Sequence, residues 1–236
     1  MLNSCHRNGG SVLYAAACAG LYNLVRQLLE RGADFRHLTP EGASPLDGAV
    51  QNAHSRALPV NEGCLIAAGL LLQAGCDVSL ETAVALGDIP HVRQAAVDRP
   101  ERFVNDGNKR LGLLQRAVEA DNVDMVKLLL KLGCHPDDEH ELTEYENRPK
   151  SGGEPLTRAA GSGQYEIAQI LLEAGADPNK GPYASGNPVG HAYNNRDDRM
   201  KGLLLRYGGL LEPTSAGTEG ETAAAAVSPS KGSRPG

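Results

Sequence analysis

A chain of 236 residues with 23 Lys and Arg against 29 Asp and Glu carries a formal charge of −6 and no lysine–arginine block, which argues against a nucleic-acid surface. Trp is absent and aromatics make up 4%, so the core must be assembled from Leu, Ala, Val and Ile in closely packed helices. Five cysteines (Cys5, Cys18, Cys64, Cys76, Cys134) without a CxxC pair argue against a disulfide framework and for a reducing, cytoplasmic setting, and no apolar run is long enough to span a membrane.

Along the chain, residues 1–10 read as an extension, and Arg7 followed by SVLYAAACAG imitates a short export signal ending at Cys18. The same letters fit a repeat better. VLYAAACAG aligns with SPLDGAVQN, SLETAVALG, GLLQRAVEA, EPLTRAAGS and NPVGHAYNN, which places Leu13, Leu46, Leu80, Leu114, Leu156 and Val189 in one column at intervals of 33, 34, 34, 42 and 33. Cleavage before Cys18 would remove half a helix pair, so a buried helix accounts for the segment.

Each column residue opens an inner helix. In the fifth unit Leu156, Ala159, Ala160 and Gly163 fall on one helical face, and a second helix follows with Ile167, Ile170 and Leu171 at the same spacing. Alanine pairs (Ala16-Ala17, Ala159-Ala160) suit an inner helix squeezed between neighbours, and leucine pairs fill the wider gap behind. LLERGAD, LLQAGCD and LLEAGAD then punctuate the units, Gly ending the outer helix and Asp starting the turn. The units lie near 11–41, 42–78, 79–109, 110–152, 153–185 and 186–211. An insertion is expected around NAHSRALPVNEG, the third unit is degenerate because VRQAAVDRPERFVND replaces the Leu-Leu ending, and HPDDEHELTEYENRPKSGG is a long acidic loop between units four and five. Residues 212–236, rich in Gly, Ser, Thr, Ala and Pro, read as a disordered tail.

These residues resemble the ankyrin repeat, whose pattern is T-P-L-H-x-A-A-x-x-G, a second helix, then L-L-x-x-G-A-D-x-N. The best match is EPLTRAAGSGQYEIAQILLEAGADPN, residues 154–179; Leu13 to Asp34 and KLLLKLGCHPD at 127–137 match further parts, and the resemblance covers roughly residues 8–211. It implies an all-α solenoid of helix-turn-helix units joined by β-hairpin-like loops. The histidine of T-P-L-H is replaced by Tyr14, Asp47, Glu81, Gln115, Thr157 and Gly190. Because that histidine normally knits neighbouring repeats, stability here is expected to lean on apolar packing.

The resemblance also implies a protein-binding module whose concave face is built from hairpin tips and inner helices. Tip residues Phe35, Arg36, Tyr145 and Tyr183 and inner-helix residues Tyr14, Gln115, Arg116, Thr157, Arg158 and Asn194 are the expected partner contacts, with Glu81, Glu119, His37 and Lys180 nearby. The partner is another protein, bound by a monomer; the acidic run from Asp137 to Glu146 would favour a basic patch on it. An alternative is that the chain is part of a longer array, since its first unit begins almost at Met1.

Catalytic chemistry has few candidates. His135, Asp137, Asp138, His140 and Glu141 crowd one loop, and a metal-dependent reading would use His135, Asp138 and His140. The spacing matches no familiar ligand signature, Cys134 fills a small packed column, and His191 with Asn194 and Asn195 suits a polar capping face. SGGEP and YASGNP lack the context of a phosphate cradle, and no G-x-S-x-G or H-E-x-x-H is present. No catalytic residue, metal or cofactor is expected.

Overall fold

A computed structural model describes residues 11–40, 42–53, 62–104, 112–137, 155–180 and 186–210. Twelve α-helices follow one another among them: α1 Val12–Cys18, α2 Tyr22–Glu30, α3 Pro45–Ala53, α4 Glu62–Gln73, α5 Leu80–Leu86, α6 Ile89–Asp98, α7 Leu113–Glu119, α8 Val123–Leu132, α9 Pro155–Ser162, α10 Tyr165–Glu173, α11 Pro188–Asn194 and α12 Asp198–Arg206, with one 3-10 turn at Pro100–Arg102 after α6. Odd-numbered helices stack in a row, α1 on α3 through to α9 on α11, and even-numbered helices form the layer behind them. No strand occurs among the described residues, so the expected β-hairpin-like connections are turns there. The extension 1–10, most of the expected insertion (54–61), the acidic loop from 138 to 154 and the tail from 211 onward lie outside the described residues.

Short polar side chains start the helices. Ser11, Ser79 and Asn187 accept the N–H of Tyr14, Thr82 and Gly190 and so cap the inner helices α1, α5 and α11. In the turns between inner and outer helices, Asp88, Asn122 and Asp197 accept the N–H of His91, Met125 and Met200 and cap α6, α8 and α12. Glycine ends the outer helices: Gly32, Gly75, Gly133, Gly175 and Gly208 all have φ between 79° and 105°, a left-handed conformation that costs a side-chain-bearing residue about 1 kcal/mol. The next residue then donates its N–H back to the carbonyl five positions earlier, as Ala33 does to Leu28 and Ala176 to Leu171, and is buried in doing so. This is why Ala or Cys stands in that column. Helix α6 has no such glycine; Arg99 and Pro100 end it.

The turn residue after that small residue works as the pattern requires. Asp34 accepts the N–H of Arg36 at 2.9 Å and Asp177 that of Asn179 at 2.8 Å. In the fourth unit His135 takes the same post, its Nδ1 accepting the N–H of Asp137 at 3.2 Å.

Burial follows the sequence pattern. Leu13, Leu46, Leu80, Leu114, Leu156 and Val189 are each at most 3% exposed, worth about 2 kcal/mol apiece for the leucines. Helix α1, the segment that imitates an export signal, buries Leu13, Ala16 and Ala17. The apolar core divides in two. One cluster joins α1–α4 and takes in Ala85 of α5, a second runs from α5 to α12, and half-buried Val78 packs against both.

At the seam between these clusters one expectation is corrected. Asp47 of α3 stands in the histidine column, and its carboxylate accepts the hydroxyl of Ser79 at 2.6 Å and that of Thr82, across to α5. It also accepts the N–H and hydroxyl of Ser44, both at 2.8 Å, while Ser44 Oγ accepts the N–H of Asp47, a reciprocal capping box. Burial opposes its charge, but these donors outweigh it and hold the carboxyl below the usual carboxylate range. The joint is therefore polar as well as apolar, because a short acid reaches the donors that the next helix N-terminus offers. Other joints use other positions: Gln164 donates to Val118 O at 2.8 Å and Asn195 to Gly161 O at 3.0 Å.

Candidate interaction surface

The inner-helix row presents its charge mainly in the middle of the array. Glu119 on α7 accepts from Gln115 Nε2 at 3.0 Å and from Arg158 on α9 at 2.6 Å, with the ion-paired side chains 19% and 27% exposed. Partly withdrawn from water, such a pair interacts more strongly than a fully exposed one. Arg116, half-buried, lies on α7 between Gln115 and Glu119; its Nε and Gln115 Oε1 are buried and take no hydrogen bond among the described residues. One unit earlier, Glu81 of α5 pairs with Arg102 at 2.9 Å.

The expected contact residues divide. Arg158 joins this network through Glu119, and half-buried Arg116 follows Gln115 on the same helix. Gln115 and Thr157 are buried, 4% and 3% exposed, and Gln115 donates to Glu119 from within the network. Tyr14 is half-buried, and its ring packs over Gly48 of α3, where a β-carbon would stand 2.9 Å from Tyr14 Cε2. Phe35 is half-buried against the first core cluster, with the Arg36 guanidinium 4.9 Å from its ring centre. Asn194 is exposed. Lys180 donates to the Asp137 carbonyl at 3.0 Å, and the Asp137 carboxylate accepts the N–H of Asp177, so the fourth and fifth tips are joined. Tyr145 and Tyr183 lie outside the described residues.

The same holds for Asp138, His140 and Glu141. His135 is described, and its Nδ1 is engaged in the tip. No group of three or more His, Cys, Asp or Glu able to hold a metal ion occurs among the described residues. No described helix is long and apolar enough to cross a membrane.

Sequence reasoning missed Asp47 and Gln164 as joints. The Ser44-Pro45-Leu46-Asp47 run was the available signal for the first, since a hydroxyl followed three residues later by an acid marks a capping box. Nothing local marks Gln164, whose partner is 46 residues away.

Part of this stack of helix pairs is matched by sequence comparison. The ankyrin-repeat family pattern, in three copies, matches residues 70–181. The chain carries ankyrin repeats. Its matched span begins within α4 and includes the degenerate third unit; α1–α3 and α11–α12 continue the same helix pairing outside it. Ankyrin repeat and KH domain-containing protein mask-1 of Caenorhabditis elegans is 29% identical over 170 residues, which is 72% of this chain; the aligned region spans 6% of that protein's length. Among solved structures, the human ASB11 ankyrin repeat domain is similar over 91% of this chain and 89% of its own, at 23% identity and a TM-score of 0.46. The ankyrin repeat domain of Bcl-3 is similar over 87% and 86%, at 22% identity and a TM-score of 0.44. Ankyrin repeats are generally protein–protein interaction modules, and the family is typically non-enzymatic.

Proposed function

We propose that this ankyrin array binds a partner protein along its inner-helix face, with Arg116, Glu119 and Arg158 as charged anchors and with Phe35, Arg36 and Asn194 extending the contact toward both ends. The observation that carries this reading is the Gln115–Glu119–Arg158 network, which ties α7 to α9. Side chains already ordered by such bonds lose little further entropy on association, so more of the contact energy appears as affinity. Gln115 holds Glu119 in place, and Thr157, Tyr14, Tyr145 and Tyr183 are further proposed contacts. The module acts as a monomeric scaffold without catalysis, metal or cofactor. Its charge of −6 disfavours nucleic acid. Among the described residues Cys18, Cys64, Cys76 and Cys134 form no disulfide with one another, which suits the cytoplasm.

The test is site-specific photo-crosslinking in the source cells, with a benzophenone side chain placed at Arg36, at Asn194, or at exposed Gln27 on outer helix α2. The reading expects one adduct common to Arg36 and Asn194, absent from Gln27, and lost when Arg158→Glu is added. Adducts from Gln27 alone, or an adduct indifferent to Arg158→Glu, would refute it.

A further inference from the structure

The outer layer contains a trough that the inner-face reading does not use. It runs between α6 and α8, where one stretch of about 380 Å³ and another of about 370 Å³ share Arg93, Leu128 and Lys131 in their walls. Its origin is the degenerate third unit. Ala95 and Ala96 occupy the column that holds Leu28-Leu29 in α2, Leu129-Leu130 in α8 and Leu171-Leu172 in α10. Two missing leucines leave the flank of α8 uncovered, and Val97, at the edge of the gap, is 77% exposed. The next gap but one is filled instead: between α10 and α12 the Tyr165 ring lies 3.8 Å under the Arg199 guanidinium, and its hydroxyl accepts from Arg206.

The trough has an apolar floor and a basic rim. Ile89, Ala96, Leu128 and Leu132 line the floor, while Arg93 comes from one bank and Lys127 and Lys131 from the other, with Asp124 at one end. Among the described residues no carboxylate pairs with Arg93 or Lys131, and Lys127 meets only exposed Glu166, at 3.4 Å. In a chain of charge −6 this is a local reversal of sign. Lys127 and Lys131 stand one helical turn apart, which is the spacing of acids at i and i+4 on a facing helix.

We propose that this trough is a second docking site, for an acidic amphipathic segment of another protein. The apolar stripe of that segment replaces the missing leucines, and its carboxylates pair with Lys127, Lys131 and Arg93. Charge complementarity selects the sign of the occupant and the floor requires an apolar face. A nucleic acid fits poorly, because no aromatic ring lines the trough to stack a base.

The test uses the full chain and a phage-displayed library of 16-residue helical peptides with a fixed Leu, Ile or Phe stripe and flanks randomised among Glu, Lys, Gln and Ser. The expected result is enrichment of Glu-flanked clones whose affinity falls by about tenfold or more in Lys127→Glu/Lys131→Glu and weakens with added salt. Ala96→Leu guards against misfolding as the cause, since it restores the outer-helix pattern and fills the floor; it too should abolish binding while circular dichroism stays unchanged. Arg158→Glu on the inner face should leave these clones unaffected, so this site and the inner-face site fail separately. The proposal is overturned if Lys-flanked clones win, or if enriched clones bind the filled and charge-reversed variants equally. It is also overturned if binding appears only after Asp138, Glu139, Glu141, Glu144 and Glu146 are neutralised, which would assign the trough to the chain's own acidic segment. Tighter retention of a duplex oligonucleotide by the same three cations would overturn it as well.

Discussion

Replacing Asp47 by Ala should uncouple the first two repeats from the rest. The carboxylate lies at the seam between the two apolar clusters and accepts four hydrogen bonds, two from Ser44 in its own unit and two from Ser79 and Thr82 in the next. Hydrogen bonds to a charged group contribute about 1.5–3 kcal/mol each, but the freed hydroxyl of half-buried Ser79 can turn toward water while that of buried Thr82 stays unsatisfied, so the net loss is about 3 kcal/mol rather than the sum. With a urea dependence of about 3 kcal/mol per molar, the midpoint falls by about 1 M. Repeat arrays are held by nearest-neighbour interfaces, so the loss falls on the joint itself. Hydrogen exchange read by mass spectrometry on peptides from α1–α4 and from α7–α12 should show a shared opening in the parent chain. In Asp47→Ala the first group should open at lower urea than the second. Titration supplies a second arm. The folded carboxyl titrates below its unfolded value, so its contribution is present above about pH 4 and is lost as pH falls through the folded pKa. The stability gap between the parent chain and Asp47→Asn should therefore shrink from pH 7 to pH 3. Equal loss of protection in both halves, or a gap independent of pH, would refute the reasoning.

Two glycines in helical or extended backbone should respond differently to alanine. At Gly209 a β-carbon would stand 2.9 Å from the Leu204 carbonyl oxygen and 2.7 Å from Val189 Cγ2, and backbone cannot step aside, so Gly209→Ala should cost about 2–3 kcal/mol. At Gly48 the obstacles are side-chain ends, Cys18 Sγ at 2.6 Å and the Tyr14 ring, so Gly48→Ala should cost about 1 kcal/mol and be largely relieved in a Cys18→Ala background. Urea melts of the three variants check the ranking, which fails if Gly48→Ala proves the more damaging. The Cys76 thiol is pushed up to about 11, first by burial and then by the Asp47 and Asp77 carboxylates, with Arg36 acting against them. At pH 8 only about 0.1% is thiolate, so iodoacetamide should label Cys76 far more slowly in the native than in the urea-unfolded chain, and its native rate should rise about tenfold per pH unit up to pH 10. Native labelling as fast as unfolded labelling would remove the buried-thiol account.

Much of the fold was legible because it depends on local physics. The column from Leu13 to Val189 sets the face of each inner helix, and the capping residues act within three positions of where they stand. Gly175 and its counterparts end helices because only the sign of φ at that residue matters. Even the weakness of the third unit could be read, since Ala95-Ala96 replaces the leucine pair. The contact residues were less legible. Gln115 and Arg158 occupy neighbouring columns of one pattern, yet one is buried and the other bridges two helices, and nothing in the pattern separates them.

The sequence by itself determined the helix pairs, their order, their stops and the apolar stripe that each buries, since these rest on spacings of two to five residues. Only the tertiary structure decided which polar groups meet across a joint and where charge gathers. Asp47 finds its partners 32 and 35 residues away, Glu119 finds Arg158 after 39, and the trough between α6 and α8 exists on neither helix alone. Such meetings depend on how successive pairs stack, and stacking is set by the volumes of side chains on both sides of each joint, which no single stretch of chain carries.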